Sequence, residues 1–265
     1  MAKDPRPVIL AVSFGTSYEA SRSITIGAIE SVLAERFPEY EVRRAFTSNI
    51  IRKKLLERDG IKIHSVPQAL EKLAEEGVKR VVVMPTHMME GEEFDVKIAA
   101  EVKRYEGRFD EIRLGHALLT QGPDFERMAE ILDRITAPFA DKDTARVFMG
   151  HGTEHKANEV YARLQKTIES MGIADLFIGT VEAEPTLEDM VRIVKERGYK
   201  NVLLSPLMIV AGDHAVNDMA GDDDDSWKST FEKAGFKVTC RVAGLGSDWR
   251  IQRMIAEHCK QAIEG

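Results

Sequence analysis

Apolar, β-branched runs recur along the chain at about 7–13, 40–46, 80–85 and 111–116, and again at about 145–149, 175–179, 201–205 and 236–242. Between them, apolar residues return every three or four positions over 19–36, 66–76, 92–106, 124–136, 155–171, 187–197 and 247–263. The short runs predict buried strands and the longer spacing predicts amphipathic helices. Strands alternating with helices predict an α/β fold with parallel sheets covered on both faces. In such folds ligands bind at the carboxyl ends of the strands.

The pattern also repeats itself. GVKRVVVMP at 77–85 resembles GYKNVLLSP at 198–206, and each run leads into a Met-rich segment and an acidic glycine turn. With the prolines aligned, Gly91 matches Gly212, Glu92 matches Asp213, and Glu93 matches His214. VILAVSFGTS at 8–17 parallels ARVFMGHGTE at 145–154, so Phe14 stands where His151 stands. The repeat predicts two similar Rossmann-like domains, each a four-stranded parallel sheet flanked by helices. The expected domains are 1–140 and 141–265, divided in the polar stretch near 138–143, with the C-terminal helix free to pack back on the first. Two facing halves predict a cleft, a favoured place for a ligand.

Composition narrows the function. The 265 residues are 43% hydrophobic and 31% charged, an ordinary globular balance. No apolar run approaches the roughly 20 residues that span a bilayer. The start, MAKDPRPVILAVSFG, reads as a first strand and its turn rather than a signal peptide, which predicts a cytoplasmic protein without a membrane partner. Cys240 and Cys259 form no CxxC, so free thiols are expected. A formal charge of −7 argues against nucleic acid as partner but permits a local basic site for an acidic small molecule.

Two of the seven histidines lie in VFMGHGTEH, 147–155. His151 directly follows a predicted strand, and Gly152-Thr153 suits a turn into a helix with Thr153 as N-cap. The imidazole then faces the ligand crevice; the competing reading is a histidine bonded to a neighbouring loop. A spacing of four places two helical side chains on one face, but His151 precedes the helix, so His155 is expected to be a helix-face residue. His214 follows another strand, with Asp213 or Asp218 available to orient its ring. Glu182, in FIGTVEAEPT, follows a third, with Glu184 as the alternative. Two imidazoles and a carboxylate suit a divalent transition metal with open positions.

Other clusters read both ways. Glu90, Glu92, Glu93 and Asp95 are either a solvated helix start or a wall that guides a cation or accepts protons. GDDDDSW at 221–227 is a solvated loop and cap or a weak collector of metal. VRRAFTSNIIRKKL at 42–55 is a charged surface or, through Arg43, Arg44 and Arg52, a grip for carboxylates. Met88, Met89, Met208 and Met219 are core, or an adaptable wall for a flat ligand.

SFGTS, AFTSNIIRKKL, GHGTEH, GTVEAEPT and SPLMIVAGDHAVNDMAGDDDDSW together resemble the anaerobic sirohydrochlorin cobalt chelatases of cobalamin synthesis (CbiK-type), class II chelatases related to ferrochelatase. The resemblance covers nearly the whole chain. It implies two Rossmann-like domains and insertion of Co²⁺ into a sirohydrochlorin-type tetrapyrrole with release of two protons. Fe²⁺ insertion for siroheme, or Ni²⁺, is compatible with it. It implies His151, Glu182 and His214 around the metal, His151, His214 and Glu93 in catalysis, and no organic cofactor. Imidazoles with a reference pKa of about 6.5 are mostly neutral at pH 7 and so available as ligands and bases. A homo-oligomer is compatible with all of this. Two rivals are a non-catalytic metal or tetrapyrrole binding protein and a histidine-phosphatase-like phosphotransfer enzyme. The latter needs an arginine before the histidine, where this chain has Gly150.

Overall fold

The computed structural model describes residues 5–265; the first four residues, on which the reading of the chain's start partly rests, lie outside the described residues. Two wholly parallel four-stranded sheets form. The first contains β1 (Val8–Ser13), β2 (Glu41–Phe46), β3 (Arg80–Pro85) and β4 (Glu111–Leu114), in the order β2-β1-β3-β4. The second contains β5 (Thr144–Gly150), β6 (Leu176–Thr180), β7 (Asn201–Pro206) and β8 (Lys237–Cys240), in the order β6-β5-β7-β8. Each strand lies within a few residues of an apolar run read from the sequence. β1 and β5 are paired on both sides and buried at every position, which is why their sequences are nearly continuous apolar runs rather than alternating ones.

The helices are α1 (19–36), α2 (Asn49–Asp59), α3 (Val66–Glu75), α4 (92–104), α5 (Gly122–Thr136), α6 (Glu159–Ser170), α7 (Leu187–Glu196), α8 (Trp227–Lys233) and α9 (Trp249–Glu264). Helix α2 occupies a stretch that the sequence leaves as loop or helix. Local chemistry defines its ends: the Ser48 hydroxyl accepts from the Ile51 N–H, and Gly60 closes the helix at φ +68°. Capping boxes start α3 at Ser65/Gln68 and α7 at Thr186/Asp189.

The chain divides into two compact units: the residues up to Thr120 with Gly246–Gly265, and Gln121–Leu245. This division falls ahead of the polar stretch near 138–143. Helix α5 goes with the second sheet because it packs on α6, and because buried Arg146 of β5 ties it down. The Arg146 guanidinium donates to the Asp133 carbonyl and the Thr136 hydroxyl of α5, and pairs with Asp133 and Asp175 at 2.8 and 2.6 Å. In the same way α9 packs on α1 of the first unit. Each sheet is thus followed by a helix that completes the other unit.

Leu10, Val12, Val81 and Val83 pack with Leu70, Leu73, Phe94 and Ile98 in the first core. Val147, Met149 and Leu204 pack with Met190, Val194, Trp227 and Phe231 in the second. Each such side chain contributes roughly 1.5–3 kcal/mol relative to exposure, so the strand ends are anchored by the core. Both cysteines are free. Burial pushes the Cys259 thiol up to about 12, which keeps it protonated and inert. Among the described residues no helix is long and apolar enough to cross a membrane.

Arg146→Leu is expected to destabilise the second unit by about 2 kcal/mol or more, since it leaves Asp175 and the α5 acceptors without their partner. Thermal and urea denaturation measure this; an unchanged midpoint would show that the guanidinium does not hold α5.

Candidate metal centre

The order β6-β5-β7-β8 means that the chain leaves β5 toward β6 on one side and later returns to β7 on the other. Such a switch point opens a crevice at the carboxyl ends of the two strands. His151 is the first residue after β5, Glu182 lies just beyond β6, and His214 opens the helical turn His214–Met219 that follows the loop after β7.

The turn that carries His151 is fixed by what surrounds its two glycines. A Cβ at Gly150 would stand 2.4 Å from the Tyr161 ring. Gly152 has φ +84°, and a Cβ there would lie 2.8 Å from the Ala183 nitrogen. The Gly152 N–H donates to the Tyr161 hydroxyl at 3.3 Å. Burial in α6 raises the Tyr161 pKa, against the opposing pull of these backbone N–H groups. The β5–β6 ladder then runs on past the strands: Val181 N–H donates to the Gly150 carbonyl at 3.0 Å, and Glu182 N–H to the His151 carbonyl at 2.9 Å. These two bonds set Glu182 beside His151, with Oε2 3.5 Å from Nδ1.

His151 Nδ1 also lies 2.9 Å from the Gly152 carbonyl, and His214 Nδ1 lies 2.5 Å from Asp218 Oδ2. A ring nitrogen facing an acceptor carries the proton, so each Nε2 is the lone-pair nitrogen. The two rings meet edge to face, with centroids 4.7 Å apart and planes at 89°. One ligand atom from each of His151, Glu182 and His214 lies within 4.8 Å of the others. Metal bonds of about 2.0–2.2 Å allow up to about 4.2 Å between two ligands, so a small side-chain adjustment closes the trio on one ion. The side chains are 47%, 55% and 38% exposed, which leaves room for further ligands.

The remaining candidates separate clearly. His155 is not a helix-face residue. It is the N-cap of a short 3₁₀ turn, Lys156–Asn158, where Nδ1 accepts from the Ala157 N–H. Thr153 accepts from the His155 N–H and does not itself start the helix. Glu184 is outside the trio, and its carbonyl is held by Asn158. Of the two aspartates near His214, Asp218 bonds the ring while Asp213 accepts from Asn217. Glu90 is structural: it bonds His116 and lies within reach of the Ala117 N–H and the Thr120 hydroxyl. Glu93 pairs with Lys97 at 2.7 Å. Arg43, Arg44 and Arg52 are engaged by Glu41 and Glu76, by Glu30, and by Asn49 and Gln68, so the strand and helix use these guanidinium groups internally. In GDDDDSW, Ser226 caps α8 while Asp222 and Asp224 pair with Lys228 and Lys233 in solvent. Met219 is core.

The family model described as "Cobalt chelatase (CbiK)" matches residues 7–264. The chain belongs to the cobalt chelatase family. It is 40% identical over 261 residues to "Sirohydrochlorin cobaltochelatase" of Salmonella typhimurium, covering 97% of each chain. It is 36% identical over 230 residues to "Sirohydrochlorin cobaltochelatase CbiKC" of Nitratidesulfovibrio vulgaris, covering 86% of this chain and 80% of that one. Among solved structures, SirB from Bacillus subtilis with Fe3+ superposes with a TM-score of 0.67 at 10% identity, over 97% and 96% of the two chains. CbiX, described as the terminal enzyme of siroheme biosynthesis in denitrifying bacteria, gives 0.60 at 16% identity, over 97% and 99%. These two likenesses bear on the fold, which is that of the chelatases.

In this cobalt chelatase the sequence reading missed Tyr161, which fixes the Gly150-His151-Gly152 turn from α6. Its signal was the pair of glycines around His151, which indicates a close neighbour without naming it. Gly152→Ala is expected to destabilise the protein by about 1–3 kcal/mol, because it forces a positive φ on alanine and a clash with the Ala183 backbone. Differential scanning calorimetry reads the loss, and an unchanged midpoint would show that the turn relaxes freely.

Proposed function

We propose that the protein is a sirohydrochlorin cobaltochelatase: it inserts Co²⁺ into a sirohydrochlorin-type tetrapyrrole, and two pyrrole protons leave as the metal enters. The observation that carries this reading is the convergence of His151, Glu182 and His214 at three neighbouring strand ends, in a chain 40% identical to the Salmonella typhimurium enzyme across 97% of both. The Nε2 atoms of His151 and His214 hold the incoming cobalt and Glu182 offsets its charge. Asp218 keeps the His214 ring in its metal-binding orientation. One imidazole accepts a pyrrole proton as the metal passes to the macrocycle, and Glu93 takes up a proton in the first unit. The repeat supports that role for Glu93, since it stands where His214 stands. Fe²⁺ and Ni²⁺ are further metals for the same donor set, and affinity order favours Ni²⁺ and Co²⁺ over Fe²⁺.

The purified protein with Co²⁺ and sirohydrochlorin is expected to shift the visible spectrum of the ring. His151→Ala and His214→Ala should each lower kcat/KM about a hundredfold or more, whereas His155→Ala should be mild. Wild-type rates in both histidine variants would remove the site assignment, and binding of metal and ring without insertion would favour the non-catalytic reading. Asp218→Asn is expected to weaken Co²⁺ binding about ten- to hundredfold with the fold intact; isothermal titration against wild type checks this, and equal affinity would deny Asp218 its orienting role.

A further inference from the structure

Helix α4 in the first unit and the turn after β7 in the second both switch to a π-helical ladder, over Asp95–Ala99 and His214–Met219, as α1 also does over Ser23–Gly27. Such turns often mark functional positions. The repeat that matches Glu93 with His214 also matches Lys97 with Asp218. Both pairs are in contact, His214 Nδ1 with Asp218 Oδ2 at 2.5 Å and Glu93 Oε2 with Lys97 Nζ at 2.7 Å. One scaffold thus holds its leading side chain by the residue four further on in both halves, with the carboxylate first in one pair and second in the other.

Lys97 holds only one oxygen of Glu93. The other, Oε1, is buried and has no hydrogen-bond partner, and the same is true of both ring nitrogens of His87 on the loop that leads into α4. Exclusion from water pushes the His87 pKa down to about 4, Glu93 pulls it up, and Lys97 adds to the depression. At neutral pH the ring is therefore uncharged and carries a single N–H. An isolated donor and an isolated acceptor lie within each other's field in the same interior, and buried polar groups are rarely left unpaired.

We propose that His87 is a positioning residue for Glu93: a side-chain adjustment brings its one N–H to Oε1, so that Lys97 and His87 hold the carboxylate by its two oxygens. The Lys97 ammonium argues against a second divalent cation at this place. The consequence for catalysis rests on the proposed role of Glu93 in proton uptake; the hydrogen bond itself does not.

Four variants test it: His87→Leu, which removes the ring nitrogens at similar volume, His87→Gln, which keeps a donor, Glu93→Gln, and the double variant His87→Leu/Glu93→Gln. Ring ¹⁵N–¹H NMR of the full-length protein should show a slowly exchanging His87 N–H whose signal moves in Glu93→Gln. In cobalt insertion, His87→Leu should lower kcat about tenfold with KM nearly unchanged. His87→Gln should recover most of that loss. The thermal midpoint of His87→Leu should fall, since the buried Oε1 then loses its donor, and the double variant, assayed below its midpoint, should be no slower than Glu93→Gln alone. A His87 signal indifferent to Glu93→Gln overturns the pairing. So does wild-type kcat in His87→Leu, an additive loss in the double variant, or a second bound Co²⁺ lost in His87→Leu. Should the wild type insert no cobalt, the chelatase reading fails while the NMR arm still decides the His87–Glu93 bond.

Discussion

The centre depends on two backbone hydrogen bonds that carry a parallel ladder past the ends of its strands. Val181 and Glu182 donate to the carbonyls of Gly150 and His151. The two candidate ligands His151 and Glu182 are neighbours because of these bonds. The first unit has the same device: Thr47 and Ser48 donate to the carbonyls of Ser13 and Phe14. There the two positions carry different chemistry. Ser48 spends its hydroxyl on capping α2, and Phe14, 49% exposed, offers an apolar face where its counterpart offers an imidazole. One backbone arrangement thus presents a candidate ligand pair in one half and a helix cap beside an exposed ring in the other.

The third candidate ligand, His214, depends on the helical turn that follows β7. A π-helical turn is locally unfavourable, so packing has to hold it in place. Ala215 and Met219 are fully buried beneath the turn, and Met219 belongs to the core that includes Trp227 and Phe231. With that side anchored, His214 and Asp218 share the accessible side, and the carboxylate fixes the ring. In α4 the buried Phe94 and Ile98 play the corresponding part. The methionine that the sequence offers as either core or ligand wall is therefore core, and its burial is what aims the histidine.

Strand positions, the repeat and the trio were legible in the sequence for related reasons. A doubly paired parallel strand must be apolar along its length, so β1, β3, β5 and β7 stand out as runs. A polar residue at the point where such a run stops is conspicuous, which is how His151, Glu182 and His214 could be singled out. Long-range partnership left no such trace. That α5 belongs with β5 depends on Arg146 reaching Asp133 and Thr136, and an arginine within a buried strand does not name its acceptors. The part of His155 was hidden because a histidine ring can cap a turn, a job the sequence assigns more readily to Thr153. The internal partners of Arg43, Arg44 and Arg52 were invisible because Glu30, Glu76 and Gln68 are distant in sequence and adjacent only once β2, α1 and α3 have packed. Glu182 and Glu184 could not be separated by spacing alone; the bond from Glu182 N–H to the His151 carbonyl separates them.

A seat for a metal in transit has different requirements from a structural metal site. Structural sites are closed, with four ligands and little solvent, and they hold the ion for the life of the fold. On the proposed reading the three candidate ligands are two imidazoles and one carboxylate, half exposed, so a divalent ion held there would keep open positions. That combination lowers the cost of leaving: water or an incoming ring nitrogen can enter before any protein bond breaks, and the ligands return to solvent without a buried charge left unpaired. The contacts behind the two imidazole rings work in the other direction. Asp218 and the Gly152 carbonyl fix the two rings and spare the ion the cost of ordering them. Under the proposed function, built-in orientation combined with exposure would suit transfer of a metal to a tighter macrocyclic ligand.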